Sequence, residues 1–177
     1  MNFKQSIAKY LSGNLTISQI SQVAYEAILE GYDSPSLYIL AGLENENAFV
    51  IQQYFNATLE ELSIAIPGKR KAAIEYANGL AEDIIEGKRE LIAGVREMRY
   101  SAIDSYDFFS ETTNFVYDSI FFEYVYGLFV DYDDFEAEHS WVGDQEAIDT
   151  LSDIRIKLMD ELKKWNEKIS TYLDTIS

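Results

Sequence analysis

The sequence predicts an all-α protein: a helical bundle of about six to eight helices around a buried central apolar helix, in a single domain over residues 1–177. Three observations predict it. Only Pro35 and Pro67 punctuate the chain, so long stretches run without a breaker. Apolar residues recur at three- to four-residue spacing in most segments. At 47% hydrophobic and 14% aromatic residues, the chain is too apolar for disorder despite a formal net charge of −17.

The elements follow in order. A short helix is expected over Phe3–Leu11, ending at Gly13. Thr16 and Gln19 have capping-box spacing, with Leu15 and Ile20 placed as a hydrophobic staple. They open a helix whose apolar face is Ile17, Ile20, Ala24, Ala27 and Ile28, closing at Gly31. Ser34 caps a third helix with Pro35 at its first position, where a missing N–H costs nothing. A short fourth helix is expected over Glu46–Phe55. A second capping box, Thr58 with Glu61, opens a further helix through Leu59, Leu62 and Ile66 until Pro67-Gly68 stops it. From Lys69 to about Tyr106 a helical stripe runs through Ala73, Ala77, Leu80, Ile84, Leu91, Val95, Met98 and Ala102. One long helix or two joined at Gly87 both fit, and the break at Gly87 is favoured. Phe115–Phe129 is apolar on nearly every face, which suits a buried helix or a strand. Its length and its helical surroundings favour the central helix. The last helix repeats Ile148, Leu151, Ile154, Leu158, Leu162, Trp165, Ile169, Tyr172 and Ile176. Asp144 is placed as its cap, and Asp153–Lys157 and Asp160–Lys164 as i,i+4 pairs.

Composition excludes several functions. The acidic balance opposes nucleic acid and anionic membranes, which need clustered Lys and Arg. Absence of cysteine removes disulfides, thiolate nucleophiles and Cys-based zinc sites, and a single His, His139, removes multi-His metal sites. The N-terminus carries no apolar run after a basic start. The most apolar stretch, Phe115–Val130, is shorter than the ~20 residues of a membrane span and holds Asp118 and Glu123. A cytoplasmic protein is expected. Asn14-Leu15-Thr16 and Asn56-Ala57-Thr58 match the glycosylation acceptor but read as helix starts.

Gly31-Tyr32-Asp33-Ser34-Pro35-Ser36-Leu37, then Leu40-Ala41-Gly42-Leu43, and a helix like Ala77–Ile85 followed by Glu86-Gly87, resemble stretches of small helical bacterial proteins of unassigned function. Such proteins are similar in size and acidity to immunity proteins that neutralise bacterial toxins. The resemblance implies a bacterial, immunity-like binding role and supplies no catalytic residue.

Charge is unevenly placed. No Lys or Arg lies between Arg99 and Arg155, a window that holds most of the aromatic residues and many acids. Within it, Asp131, Tyr132, Asp133, Asp134, Glu136, Glu138 and Trp141 are the candidate partner-binding residues. Carboxylates steer and pair with basic groups while aromatics anchor. The missing basic residues leave these acids few local partners. The expected partner is a basic protein, and the alternative is a homo-oligomer that buries its own aromatic surface. The run Asp131–Glu136 departs from an EF-hand loop, with Phe135 at a ligand position, Glu136 in place of Gly and Val142 in place of the final Glu. Glu82, Asp83 and Glu86, joined by Asp104 and Asp107, form the alternative reading. They resemble the magnesium clusters of all-α nucleotide pyrophosphatases, where carboxylates hold a metal that activates water. Lys88 and Arg89 stand ready to pair with the same acids. No nucleophile–base pair, nucleophile elbow or phosphate loop appears, and Lys69-Arg70-Lys71 at a helix start opposes the helix dipole. The sequence therefore favours a non-enzymatic role with no cofactor and no metal.

Overall fold

The computed structural model describes residues 1–139 and 145–176. Among these, eight α-helices and no strand occur: α1 Phe3–Leu11, α2 Ile20–Leu29, α3 Pro35–Ala41, α4 Ala48–Glu61, α5 Lys69–Ile85, α6 Leu91–Glu97, α7 Glu123–His139 and α8 Gln145–Thr175. The all-α class stands. Within the chain the contacts group into two compact units, Met1–Tyr76 and Ala77–Ser177, with the division falling inside α5.

In the first unit, α1 begins with a reciprocal cap: Gln5 N donates to Asn2 Oδ1 (3.0 Å) and Asn2 N to Gln5 Oε1 (2.8 Å). At the second start, Thr16 N donates to Gln19 Oε1 (2.8 Å), and a 3-10 turn over Ile17–Gln19 leads into α2. Ser34 Oγ accepts from Leu37 N (3.2 Å) ahead of Pro35, as the sequence predicts. The core joins Phe3, Ile7, Ile20, Ala24, Leu37, Leu40, Ile51, Phe55 and Leu59. Glu61, at the end of α4, accepts from both Ser36 N (2.9 Å) and Ser36 Oγ (2.6 Å) at the start of α3. These bonds hold its carboxyl below the usual range.

One expectation fails here. Glu46–Phe55 and Thr58–Ile66 are not two helices. The single helix α4 starts after Asn47, whose side chain accepts from Val50 N (3.1 Å), and runs through Thr58. Thr58 Oγ1 donates back to Tyr54 O (2.8 Å), so it is an interior residue rather than a cap, and Asn56-Ala57-Thr58 is no helix start. The helix closes four residues before Pro67, at Ser63. There Ile64 N bonds to Leu59 O (2.8 Å) and Ser63 N to Glu60 O (3.0 Å), with Ser63 in the left-handed conformation (φ 53°).

In the second unit, α5 ends in the same paired bonds at Gly87 (φ 74°): Lys88 N to Asp83 O (2.8 Å) and Gly87 N to Ile84 O (3.0 Å). The favoured break is there. Glu90 then caps α6, accepting from Ala93 N (2.8 Å). Gly94 lets α6 come close to α5, since a Cβ at that position would lie 2.5 Å from Ile84 Cγ1. α7 packs against α8. Leu158, Leu162, Trp165 and Ile169 form the buried seam of α8. Lys164 pairs with Glu161 (2.7 Å), one turn away, rather than with Asp160 as the spacing suggests. Buried Asn78 on α5 accepts from Asn166 (2.9 Å) and Ser170 (3.3 Å) of α8 and donates to Glu82 (3.0 Å). The expected cap Asp144 lies outside the described residues.

The predicted central helix over Phe115–Phe129 also needs correction. Residues 115–122 are turns, and the helix begins at Glu123. α7 buries Val125, Phe129 and Tyr132 but exposes Tyr124, so it is amphipathic rather than buried all round.

Candidate functional site

Beyond Glu97 the helical backbone of α6 widens into a π turn, Met98–Ala102, then tightens into a 3-10 turn, Ile103–Ser105. π turns are rare and concentrate at functional sites. This one carries Arg99, whose guanidinium lies 4.9 Å from the ring centre of Tyr117, 5.2 Å from Tyr100 and 5.4 Å from Tyr126. It also pairs with Asp104. Burial pushes the Tyr117 hydroxyl above its usual range, with Arg99 opposing.

The next segment is held by local polar contacts. Asp107 accepts from Ser110 N (3.2 Å) and starts a 3-10 turn, Phe108–Glu111. Asp118 accepts from the backbone N–H of Thr113 (3.1 Å), Asn114 (2.7 Å) and Phe115 (3.1 Å). Tyr117 (φ 66°) and Phe121 (φ 60°) both adopt the left-handed conformation around the 3-10 turn Asp118–Ile120. Such a conformation costs about 1–3 kcal/mol for a bulky residue and persists only where packing enforces it. Here Tyr117 packs edge-on to Tyr126 (5.1 Å), Phe122 edge-on to Trp165 (5.5 Å), and Trp165 Nε1 donates to Ile120 O (2.9 Å).

Beside this turn lies a cavity of about 370 Å³ lined by Phe115, Val116, Glu123, Tyr124 and Tyr126. Phe115 and Tyr124 are each 66% exposed. Glu123 Oε2 is buried and meets no hydrogen-bond partner among the described residues. Apart from Ser21, the described residues with such buried, unbonded side-chain atoms are Arg99 (at Nε), Thr112, Ser119 and Glu123, clustered in or beside this segment. Leaving a buried polar group unpaired costs about 1–3 kcal/mol, more when charged.

From Tyr124 the exposed face of α7 continues through Gly127, Asp131, Asp134 and Glu138, positions that share one side of a helix. Asp131, Asp134 and Glu138 of the predicted partner-binding set therefore lie on one solvent-facing stripe. Tyr132 and Asp133 do not lie free beside them. Tyr132 is buried, with its hydroxyl donating to Glu136 Oε1 (3.0 Å). Asp133 pairs with Arg96, which also sits over Phe129 (5.8 Å). The expectation of acids without local partners thus holds only along the sequence: α6 and α8 reach over to this region with Arg96 and Arg155, the latter binding Glu90 (2.7 Å) and lying 6.0 Å from the Tyr132 ring. His139 stacks on Phe135 (4.0 Å). The run Asp131–Glu136 is continuous helix, which removes any calcium-loop reading. Trp141 lies outside the described residues.

The magnesium reading is corrected on geometry. Among the described residues, no three or more Asp, Glu or His side chains gather where they could hold a metal. Its members are spread over other tasks: Glu82 accepts from Asn78, Glu86 pairs with Lys88, Asp104 with Arg99, and Asp107 caps a turn. Asp83, in the last turn of α5, supplies the backbone carbonyl that closes the helix at Gly87.

Sequence reasoning passes over Phe115, Glu123 and Tyr124 as site residues because they fall inside the supposed central helix. The available signal is Thr112-Thr113-Asn114 followed by Asp118-Ser119, turn and cap residues interrupting an apolar run. Among the described residues no helix is long and apolar enough to cross a membrane. Comparison with protein-family models, curated proteins and solved structures finds no match.

Proposed function

We propose that this chain is a non-enzymatic, cytoplasmic binding protein of the bacterial toxin-immunity kind, and that it covers a basic surface of another protein. The observation that carries the reading is the exposed stripe of α7, where Asp131, Asp134 and Glu138 follow Tyr124 on one face. A carboxylate row next to an exposed ring provides both steering and anchoring. The net charge of −17 extends that attraction to a basic partner beyond contact distance.

The experiment is recovery of the partner from the native host, followed by association kinetics. Raising salt from about 0.05 to about 0.5 M is expected to slow association about tenfold or more. The triple variant D131N/D134N/E138Q is expected to slow it in the same way at low salt. A partner whose association is indifferent to both overturns the reading. Recovery of the chain only with copies of itself, in an assembly that salt does not weaken, identifies the self-buried oligomer instead.

A further inference from the structure

We propose that the cavity at the N-terminal end of α7 receives an arginine side chain of the partner, its guanidinium pairing with Glu123 between Phe115, Tyr124 and Tyr126. This rests on the reading of the chain as a cover for a basic protein surface, and it names the group that surface must present.

Three features select the occupant. First, the buried Glu123 Oε2 has no hydrogen-bond partner among the described residues. A carboxylate in that position favours a donor cation and repels an anion. Arg99 makes no hydrogen bond to it, its guanidinium lying instead beside Asp104 and over the rings of Tyr117 and Tyr126. Second, the remaining lining is mostly aromatic. Aromatic faces attract cations, and a planar, weakly hydrated guanidinium suits them better than an ammonium. Third, the cavity opens where the acidic stripe begins. Tyr124 borders the cavity, and Glu138 lies fourteen residues along the same face, about 21 Å away at the helical rise. An arginine seated at Glu123 therefore leaves room for further basic groups of the same partner along Asp131, Asp134 and Glu138.

The pocket is also built before the ligand arrives. Asp118 fixes the loop bearing Phe115 through three backbone N–H groups, and Trp165 holds Ile120. A preformed site loses little conformational entropy when filled.

The test is a two-dimensional NMR titration of the whole chain with N-acetyl-arginine amide and with its neutral isostere, N-acetyl-citrulline amide. Arginine amide is expected to give saturable shifts confined to residues 115–126, and citrulline amide to bind at least about tenfold more weakly. E123Q is expected to lose about tenfold in arginine affinity. Tyr124→Ala, which removes an exposed ring, should also weaken it. The Trp165 indole resonance, set by its bond to Ile120, monitors folding. If E123Q disturbs it, the Tyr124 variant and the citrulline comparison still decide. Equal binding of the two amides, or no saturable shift up to about 50 mM, overturns the proposal. The D131N/D134N/E138Q variant separates the two readings. It should leave arginine-amide affinity within about twofold while slowing association with the whole partner. Loss of salt dependence with arginine selectivity intact would overturn the acidic-face reading alone.

Discussion

Three backbone N–H groups, from Thr113, Asn114 and Phe115, converge on the carboxylate of Asp118. Those bonds hold Asp118 below the ordinary aspartate range. Its depressed value gives a definite sign. The stabilisation is fully present above the ordinary aspartate pKa and is lost as pH falls through the lower, folded one. Amide hydrogen exchange at Thr113, Asn114 and Phe115, corrected for intrinsic rates, is therefore expected to gain protection with rising pH across that acidic window and level off above it. In Asp118→Asn the pH dependence should vanish and protection at the three amides should fall, because the amide oxygen accepts more weakly and from fewer donors. Protection that is unchanged in the variant would show that packing alone holds the loop. At this scale the sequence is only partly legible. A capping residue announces itself when it precedes a helix, as Ser34 does. Asp118 reaches backward to a loop, and nothing in its neighbours reveals that direction.

Helix starts and stops show where sequence patterns carry information and where they mislead. α1, α2 and α5 close on Gly13, Gly31 and Gly87, each in the left-handed conformation, and glycine marks those ends openly. α4 closes with the same pair of bonds on Ser63, a residue that rarely takes that conformation, so Pro67 is the visible stop and the pattern places the helix end too late. The same ambiguity makes Thr58 look like a cap. Ser63→Gly is expected to stabilise the protein by about 1 kcal/mol, the Cβ penalty of the left-handed state less glycine's greater unfolded-state entropy. The denaturant midpoint should rise at constant slope. A lower midpoint would mean that the serine side chain holds the turn in some other way. α7 follows the same logic in reverse. Its apolar run begins before the helix does, because Tyr117 and Phe121 bury or half-bury their rings from left-handed turns rather than from helical positions. Hydrophobicity finds the buried Tyr117, Ile120, Phe122, Val125 and Phe129 but not the exposure of Phe115 and Tyr124, and only the backbone geometry places Glu123 at a cavity. The seam of α8 is fully legible from Leu158 to Ile169, since a strict helical period over a long segment admits one reading.

For the whole molecule the dominant fact is charge: 14 basic against 31 acidic side chains. That imbalance is legible at once, but its layout is not, because Arg96 and Arg155 approach the acidic window from other elements. Two opposing effects of salt follow. The ion pairs Arg96–Asp133, Arg155–Glu90 and Lys164–Glu161 have partly or largely exposed members, and pairs of that kind contribute about 0–1 kcal/mol each, less when screened. Self-repulsion among the excess acids opposes compaction and is itself screened by salt. With seventeen uncompensated negative charges, repulsion outweighs a few surface pairs. Thermal unfolding at pH 7 should therefore shift upward by several degrees, about 1 kcal/mol of stability, as sodium chloride rises from about 10 to about 300 mM, a range over which the Debye length falls from about 30 Å to under 10 Å. Sodium and tetramethylammonium chlorides should act alike, since screening depends on ionic strength and not on the cation's identity. A melting temperature that falls with salt would show that the surface ion pairs outweigh the repulsion. A rise specific to one cation would point to site binding in place of screening.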